Sequence, residues 1–324
     1  MVSSTSPLVS IITPTYNRGD TYLRATMDSV LSQDYPNFEY IVLDDGSSDN
    51  TQSVLATYDD PRLRCYHHEN MGEVRTVNKG FELAQGDYIV VVNSDDPILP
   101  DYIQTAVEFM ESHPDILVGY PDWYVIDENG KKLDHITTPE YSYTLMLKNT
   151  YCIPGPGAMM RRRVIDLEQG RDSAFRYISD FEFWLRVGLH GDFKRIPHTI
   201  ATWRTHSETT THAFKATDEH FRLLDKIFQR DDLQGVKWQY KRHSYASAHY
   251  VTGSKSTSDY KQASYHFLLS ILIYPVGCRP VGKPRNWSFM FTIFLLYLRS
   301  LLPAFIRRPL GKLLRYFKHQ AQRT

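Results

Sequence analysis

The first hundred residues alternate short β-branched apolar runs with segments whose apolar residues recur at helical spacing, and few architectures accommodate that rhythm. Residues 9–13, 40–43, 63–66 and 88–92 read as strands. Between them Leu23, Met27, Val30 and Leu31 share one helical face, Asp49 stands as an N-cap before Val54 and Leu55, and residues 74–84 form a helix that Gly86 ends. A further helix opens at Pro100-Asp101, with Ile103, Val107 and Met110 on one side. Strand–helix alternation of this kind predicts an α/β, Rossmann-like fold: a mainly parallel sheet flanked by helices. Residues 115–215 read as irregular, with short strand-like runs, Pro154-Gly155-Pro156-Gly157 as punctuation and one helix over 180–189. From Asp218 the pattern is all helical, with 249–253 and 260–273 as a helical pair. The expected organisation is a sheet domain over 1–215, a C-terminal helical extension over 216–282 and a tail over 283–324.

Ordinary globular composition, 42% hydrophobic and 23% charged in 324 residues, excludes a disordered or collagen-like chain. Three distant cysteines (Cys65, Cys152, Cys278) exclude a disulfide framework or a cysteine zinc cluster and read as reduced, buried thiols of a cytosolic protein. The first residues lack the basic and apolar regions of a secretory signal, so none is expected. The balance of 37 basic and 37 acidic groups hides an asymmetry. The last acidic residue is Asp259, and 11 of the 37 Lys and Arg lie beyond it, which leaves residues 1–259 at −11. The tail also holds an apolar run, 287–298, too short for the roughly 20 residues that span a bilayer. Basic charge mixed with Trp, Phe and Leu suits a helix lying in an anionic membrane surface. The expected location is therefore cytoplasmic and peripheral, on the inner face of the cell membrane. The alternative is a core helix followed by a solvated basic tail. Nucleic-acid binding is disfavoured, since the basic groups alternate with long apolar side chains.

The chemistry gathers at the strand ends. The first strand runs into Thr13-Pro14-Thr15-Tyr16-Asn17, the second into Asp44-Asp45-Gly46-Ser47-Ser48-Asp49, and the fourth into Asn93-Ser94-Asp95-Asp96. In a parallel sheet these carboxyl ends share one edge, where ligands bind. Each cluster alone is also a good solvated turn. Asp95 beside Asp96 is costly unless a cation or a proton intervenes. Hard oxygen ligands suit Mg²⁺ or Mn²⁺ held jointly by carboxylates and phosphate oxygens. The chain lacks both the P-loop and the G-x-G-x-x-G fingerprint, so bound phosphates need a metal and basic side chains.

These three segments, in this order, resemble the inverting family 2 glycosyltransferases of GT-A fold, over residues 1 to about 210. The resemblance implies a nucleotide-diphosphate-sugar donor bound by Thr13, Pro14, Tyr16, Asp44, Asp45, Asn93 and Ser94. Pro14, Tyr16 and Asp44 would line the nucleobase pocket. Asn93-Ser94-Asp95 falls on the family's D-x-D, with Asp95 as metal ligand and an amide in place of the first acid. Ser179-Asp180-Phe181-Glu182-Phe183-Trp184-Leu185-Arg186 looks like the E-D-x-x-x-W-L-R segment, with Asp180 as catalytic base and Ser179 in place of the Glu. Asp180 also fits an N-cap, Phe183 and Trp184 fit packing, and Arg186 fits a structural partner for a carboxylate. Trp203-Arg204-Thr205-His206 is similar to Y-R-x-H, which makes His206 a metal ligand or diphosphate contact. In Asn70-Met71-Gly72-Glu73-Val74-Arg75-Thr76-Val77-Asn78-Lys79-Gly80, Val77 stands where many members carry Arg. Arg75 is then a substitute diphosphate or base contact, or solvated surface.

The implied activity is metal-dependent, inverting, hexosyltransferase-like transfer to a hydroxyl on a glycan or lipid-linked acceptor, in cell-surface polysaccharide or glycan assembly. A base must take the acceptor proton, and a metal supports the leaving diphosphate. The alternatives are a non-catalytic nucleotide-sugar-binding scaffold and a nucleotidyltransferase; Asn17-Arg18-Gly19-Asp20 is poor in the Gly and Lys that the latter needs for a triphosphate. Removing residues 283–324 is expected to shift the protein from membrane to soluble fraction on cell fractionation. An unchanged distribution would defeat the interfacial reading of the tail.

Overall fold

A computed structural model describes residues 6–206, 218–233, 236, 238–256, 259–275, 298 and 301–302. The chain divides into two compact units, 1–143 with 152–212, and 144–151 with 213–324.

The first unit is built on one eight-stranded sheet. Its strands are β1 (Val9–Thr15), β2 (Phe38–Asp45), β3 (Leu63–His68), β4 (Tyr88–Val91), β5 (Val118–Ile126), β6 (Lys132–Ile136), β7 (Met159–Arg161) and β8 (Phe193–Arg204). The order is β3-β2-β1-β4-β7-β5-β6, with β8 on β5. β1, β2, β3 and β4 pair in parallel, as do β5 and β8, whereas β7 is antiparallel to both β4 and β5, and β6 to β5. The mixed α/β, Rossmann-like sheet is the expected fold class.

Alternation along β1 sorts its side chains between two helical layers. Val9 and Ile11 join Leu23, Met27 and Val30 of α1 (Leu23–Leu31) and Ile103, Val107 and Met110 of α4 (Tyr102–Ser112) in one buried cluster. Ile12 faces the other way, onto α3 (Glu73–Leu83). There Gly80 lets helix and strand touch, since a Cβ on it would lie 2.4 Å from Ile12 Cγ2.

β1 continues past its expected end to Thr15 and takes Pro14 with it, opposite Leu43. Proline is tolerated because backbone groups alternate sides. The carbonyl of Ile12 accepts from Val92 on the β4 side. Pro14 turns its nitrogen the same way, beyond the point where β4 stops. Asp49 does cap the short helix α2 (Thr51–Leu55), by accepting from the Thr51 amide at 2.9 Å, although the backbone N-cap position is Asn50.

Residues 115–206 are more regular than their sequence implies. β5 and β8 pair in parallel through polar and proline-bearing sequence, with register shifts at Pro121, Asp122 and Trp123. α5 (Tyr143–Asn149), α6 (Arg163–Glu168) and α7 (Ser179–Val187) complete this part of the chain. Cys65 and Cys152 are free thiols, but Cys65 is exposed rather than buried, because β3 is an edge strand.

The second unit holds α8 (Glu219–Phe228), α9 (Trp238–Lys255) and α10 (Tyr260–Ile273). Asp259 caps α10 by accepting from the amides of Lys261 and Gln262. α10 packs on α9 through Phe267 over Gly253 and through the Ser270 hydroxyl, which donates to the Ala246 carbonyl at 2.8 Å. The expected tail over 283–324 lies outside the described residues apart from 298, 301 and 302. Among the described residues no helix is long and apolar enough to cross a membrane.

Candidate active site

The carboxyl ends of β1 and β2 form a clasped pair of loops. Asp44 is fully buried; one carboxylate oxygen accepts from the Ser47 amide at 3.0 Å and the other lies 2.9 Å from His67 Nδ1. Asp45 accepts from the Met71 and Gly72 amides at 2.7 and 3.0 Å, so its charge orients the turn before α3. Gly46 has a φ of +72°, and a Cβ there would meet the Asn70 nitrogen at 2.7 Å. Asn17 ties the first loop to the second, its amide donating to Ser47 Oγ and its side-chain oxygen accepting from the Ser48 amide, both at 2.8 Å. Thr13 is turned into the sheet, where it accepts from the Tyr40 hydroxyl at 3.1 Å. Tyr16 stands 48% exposed at the rim. Thr15, in the same strand-end motif, has a buried hydroxyl with no hydrogen-bond partner among the described residues.

The end of β4 is tied to the end of β8. Buried Asp96 accepts from the Arg204 amide at 2.7 Å and from Asn93 Nδ2 at 3.0 Å. Burial, and next the charge of Asp95, raise the Asp96 carboxyl above the usual range. Arg204 donates from Nε to the Asp95 carbonyl at 2.8 Å, and Ser94 accepts on its carbonyl from the Thr26 hydroxyl at 3.1 Å. The result sets His206 Nε2 2.9 Å from Asp95 Oδ2. The His206 side chain is 2% exposed and that of Asp95 21%, so the pair opens outward through the carboxylate. The Tyr22 ring lies 4.8 Å from both the His206 ring and the Arg204 guanidinium.

A divalent ion fits this pair. The 2.9 Å spacing is a hydrogen bond as it stands. It also matches two donors on adjacent corners of an octahedral ion with bonds of about 2.1 Å, which are about 3.0 Å apart. Among the described residues no group of three or more His, Cys, Asp or Glu is arranged to hold a metal. Two protein ligands completed by phosphate oxygens are the usual provision for Mg²⁺ or Mn²⁺.

Asp180 lies in the first turn of α7, accepting from the Phe181 amide at 2.7 Å. The N-cap is Ile178, so the capping role expected for Asp180 falls two residues earlier. Glu73, the first residue of α3, locates Asp180 relative to the other acids. Its carboxyl is raised first by the protein walls around it; Arg171 opposes the rise, and Asp180, Asp95 and Asp45 add to it. Asp45 itself holds the turn from which α3 and Glu73 start. Arg75, on the same helix, is exposed. Glu73 and Arg171 were not singled out in the sequence, although Glu73 sits inside a quoted motif.

The loop between α6 and α7 is held by Arg186, which is nearly buried. It donates to both oxygens of Glu182, at 2.6 and 2.9 Å, to the carboxylate and carbonyl of Glu168, at 2.7 and 2.8 Å, and to the Gly170 carbonyl at 2.7 Å. This is the carboxylate partnership expected of it.

Residues 10–167, just under half of the chain, match the family model described as Glycosyl transferase family 2. The glucosyltransferase WfaP of Escherichia coli, named for transfer from UDP-Glc to α-D-GlcNAc-diphosphoundecaprenol, is 29% identical over 225 residues, 68% of this chain and 86% of that one. Three other curated relatives are covered over only 58%, 34% and 22% of their own length. The fold is shared with S. aureus TarS 1-349 in complex with UDP-GlcNAc, at a TM-score of 0.63 and 19% identity over 82% of this chain and 81% of that one. It is shared also with the mannosyltransferase PcManGT of Pyrobaculum calidifontis in complex with GDP-Man and Mn²⁺, at 0.56 and 17% over 91% and 81%.

Replacing Arg186 with Met is expected to cost about 3–5 kcal/mol in urea unfolding, because Glu182 and Glu168 would stay buried without their counter-charge. A loss near zero would show that the loop holds without it.

Proposed function

We propose that this chain is an inverting, metal-dependent glycosyltransferase, using a nucleotide-diphosphate-sugar donor and a hydroxyl acceptor. The observation that carries the reading is the Asp95–His206 pair, 2.9 Å apart, beside the clasped β1 and β2 loops at the edge where these parallel strands end. The nucleotide belongs at the β1 and β2 loops, with Tyr16 at the rim against the base and Asp44 receiving a base N–H. Asn93 and Ser94 belong on the ribose side. Asp45 acts by holding the turn beneath the donor, Thr13 by packing, and exposed Arg75 by reaching the diphosphate.

Asp95 and His206 would hold Mg²⁺ or Mn²⁺, which when bound supplies Lewis-acid support for the leaving diphosphate. Asp180 has its Oδ1 engaged by the Phe181 amide, which fixes the carboxylate. Its other oxygen takes the proton of the acceptor hydroxyl as that oxygen attacks the anomeric carbon, from the face opposite the diphosphate. The anomeric configuration inverts. The sheet domain over 1–215 would be catalytic, with 216–282 as a helical extension.

The WfaP likeness supports a glycan or lipid-linked acceptor in surface polysaccharide assembly. The basic, apolar composition of 283–324 supports a peripheral position on an anionic membrane, on its cytoplasmic face.

Asp180→Asn is expected to slow transfer about 10²–10⁴-fold, the scale of a lost general base, while UDP- or GDP-sugar with Mn²⁺ still raises the melting temperature. Transfer at the wild-type rate would remove Asp180 from the mechanism.

A further inference from the structure

Two arginines in the loop before α7 are treated in opposite ways. Arg186 has every nitrogen of its guanidinium engaged by carboxylates or carbonyls. Arg171 is also nine-tenths buried, at 10% side-chain exposure, yet its buried Nε has no hydrogen-bond partner among the described residues. Its nearest carboxylate contact is long, with Nη1 3.8 Å from Glu73 Oε1. A buried guanidinium N–H left unmatched is costly, and native proteins retain such groups where a ligand completes them.

The position of Arg171 is set independently of its side chain. Asn78 of α3 accepts from the Arg171 amide and donates to its carbonyl, each at 2.8 Å, like an opposing peptide group. Gly170 makes that approach possible, with a φ of +94° and a site where a Cβ would lie 2.6 Å from Asn78 Oδ1. Arg171 is thus fixed to the helix that begins with Glu73. The same loop is held to α7: the Asp172 amide donates to Glu182 Oε2 at 3.4 Å and Arg186 Nη2 to the Gly170 carbonyl at 2.7 Å. Arg171 and Glu73 thus lie between α3 and the helix whose first turn bears Asp180.

We propose that Arg171 and Glu73 form the acceptor subsite beside Asp180 and that they recognise an uncharged, hydroxyl-rich sugar. The inference rests on Asp180 as the base. Arg171 offers unmatched N–H donors and half-exposed Glu73 offers acceptor oxygens. Neighbouring sugar hydroxyls, each both donor and acceptor, meet the two together and leave the adjacent hydroxyl to Asp180. An anionic sugar is excluded by charge. The single guanidinium stands against the carboxylates of Glu73 and Asp180, and a divalent ion does no more than offset the two negative charges of the donor diphosphate, so the subsite stays negative.

The test is ligand-observed saturation-transfer NMR on the full chain with Mn²⁺ and UDP or GDP. The probes are methyl β-glycosides of glucose, galactose and N-acetylglucosamine against methyl β-glucuronide and glucose 6-phosphate. A neutral glycoside is expected to bind, the anionic probes to give no signal, and the neutral affinity to fall about tenfold in Glu73→Gln and in Arg171→Gln, as for one lost charge-assisted hydrogen bond. Because Glu73 is half exposed, Glu73→Gln tests the subsite without risk to folding. Glucuronide binding equal to glucoside, unchanged binding in both variants, or no neutral glycoside bound would each overturn the proposal. If Asp180→Asn still abolishes transfer in that event, the base assignment survives and the acceptor subsite alone is lost.

Discussion

The hydrogen bond from the Arg204 amide to Asp96 is the contact on which the rest of the site depends. It joins residues 108 apart in sequence and fixes the end of β8 to the turn after β4. β8 pairs with β5 and not with β4, so such ties from β8 to the segment after β4, with the Leu99 amide on the Ile200 carbonyl and the Thr202 hydroxyl on the Pro97 carbonyl beside it, are what bring His206 to Asp95. Arg204 reinforces the tie from its side chain, reaching the carbonyls of Asp95, Asp127 and Glu128. A buried carboxylate that accepts a backbone N–H and an amide N–H is a rigid anchor, and rigidity is what two metal donors need to keep a fixed spacing.

The same contact explains why an amide stands first in Asn93-Ser94-Asp95. Asn93 donates to Asp96 at 3.0 Å. An aspartate at position 93 would set a second carboxylate against a buried one already raised by Asp95. Asn93 supplies a donor without adding charge, so the departure from D-x-D is compensated locally. Asp95 remains the more exposed acid of the cluster, oriented by His206.

The parallel half of the fold was legible because periodicity records it directly: the runs at β1, β2, β3 and β4 are apolar and end in turn chemistry. The strand ends carried the candidate acids too, but the sequence did not show that Asp44, Asp45 and Asp96 turn inward onto loop amides while Asp95 stays more exposed. β5 and β8 were not legible. Pro121, Asp122 and Pro197 interrupt any alternation, and these strands are stabilised by partners far away, including the bidentate Arg195–Asp122 pair. Glu73 and Arg171 escaped for a related reason. Each is an unremarkable charge in sequence, and only the Asn78 clamp, which spans 93 residues, brings them together. Arg186 was recognisable as a carboxylate partner from Glu182 four residues before it, but Glu168 was not.

Diffraction at the manganese edge from crystals grown with Mn²⁺ and a nucleoside diphosphate tests the central claim most directly. The account predicts one strong anomalous peak within coordination distance of both the Asp95 carboxylate and His206 Nε2, with Asp180 facing it across the cleft. An ordered nucleotide whose diphosphate carries no peak there, or a peak bound away from Asp95, would contradict it.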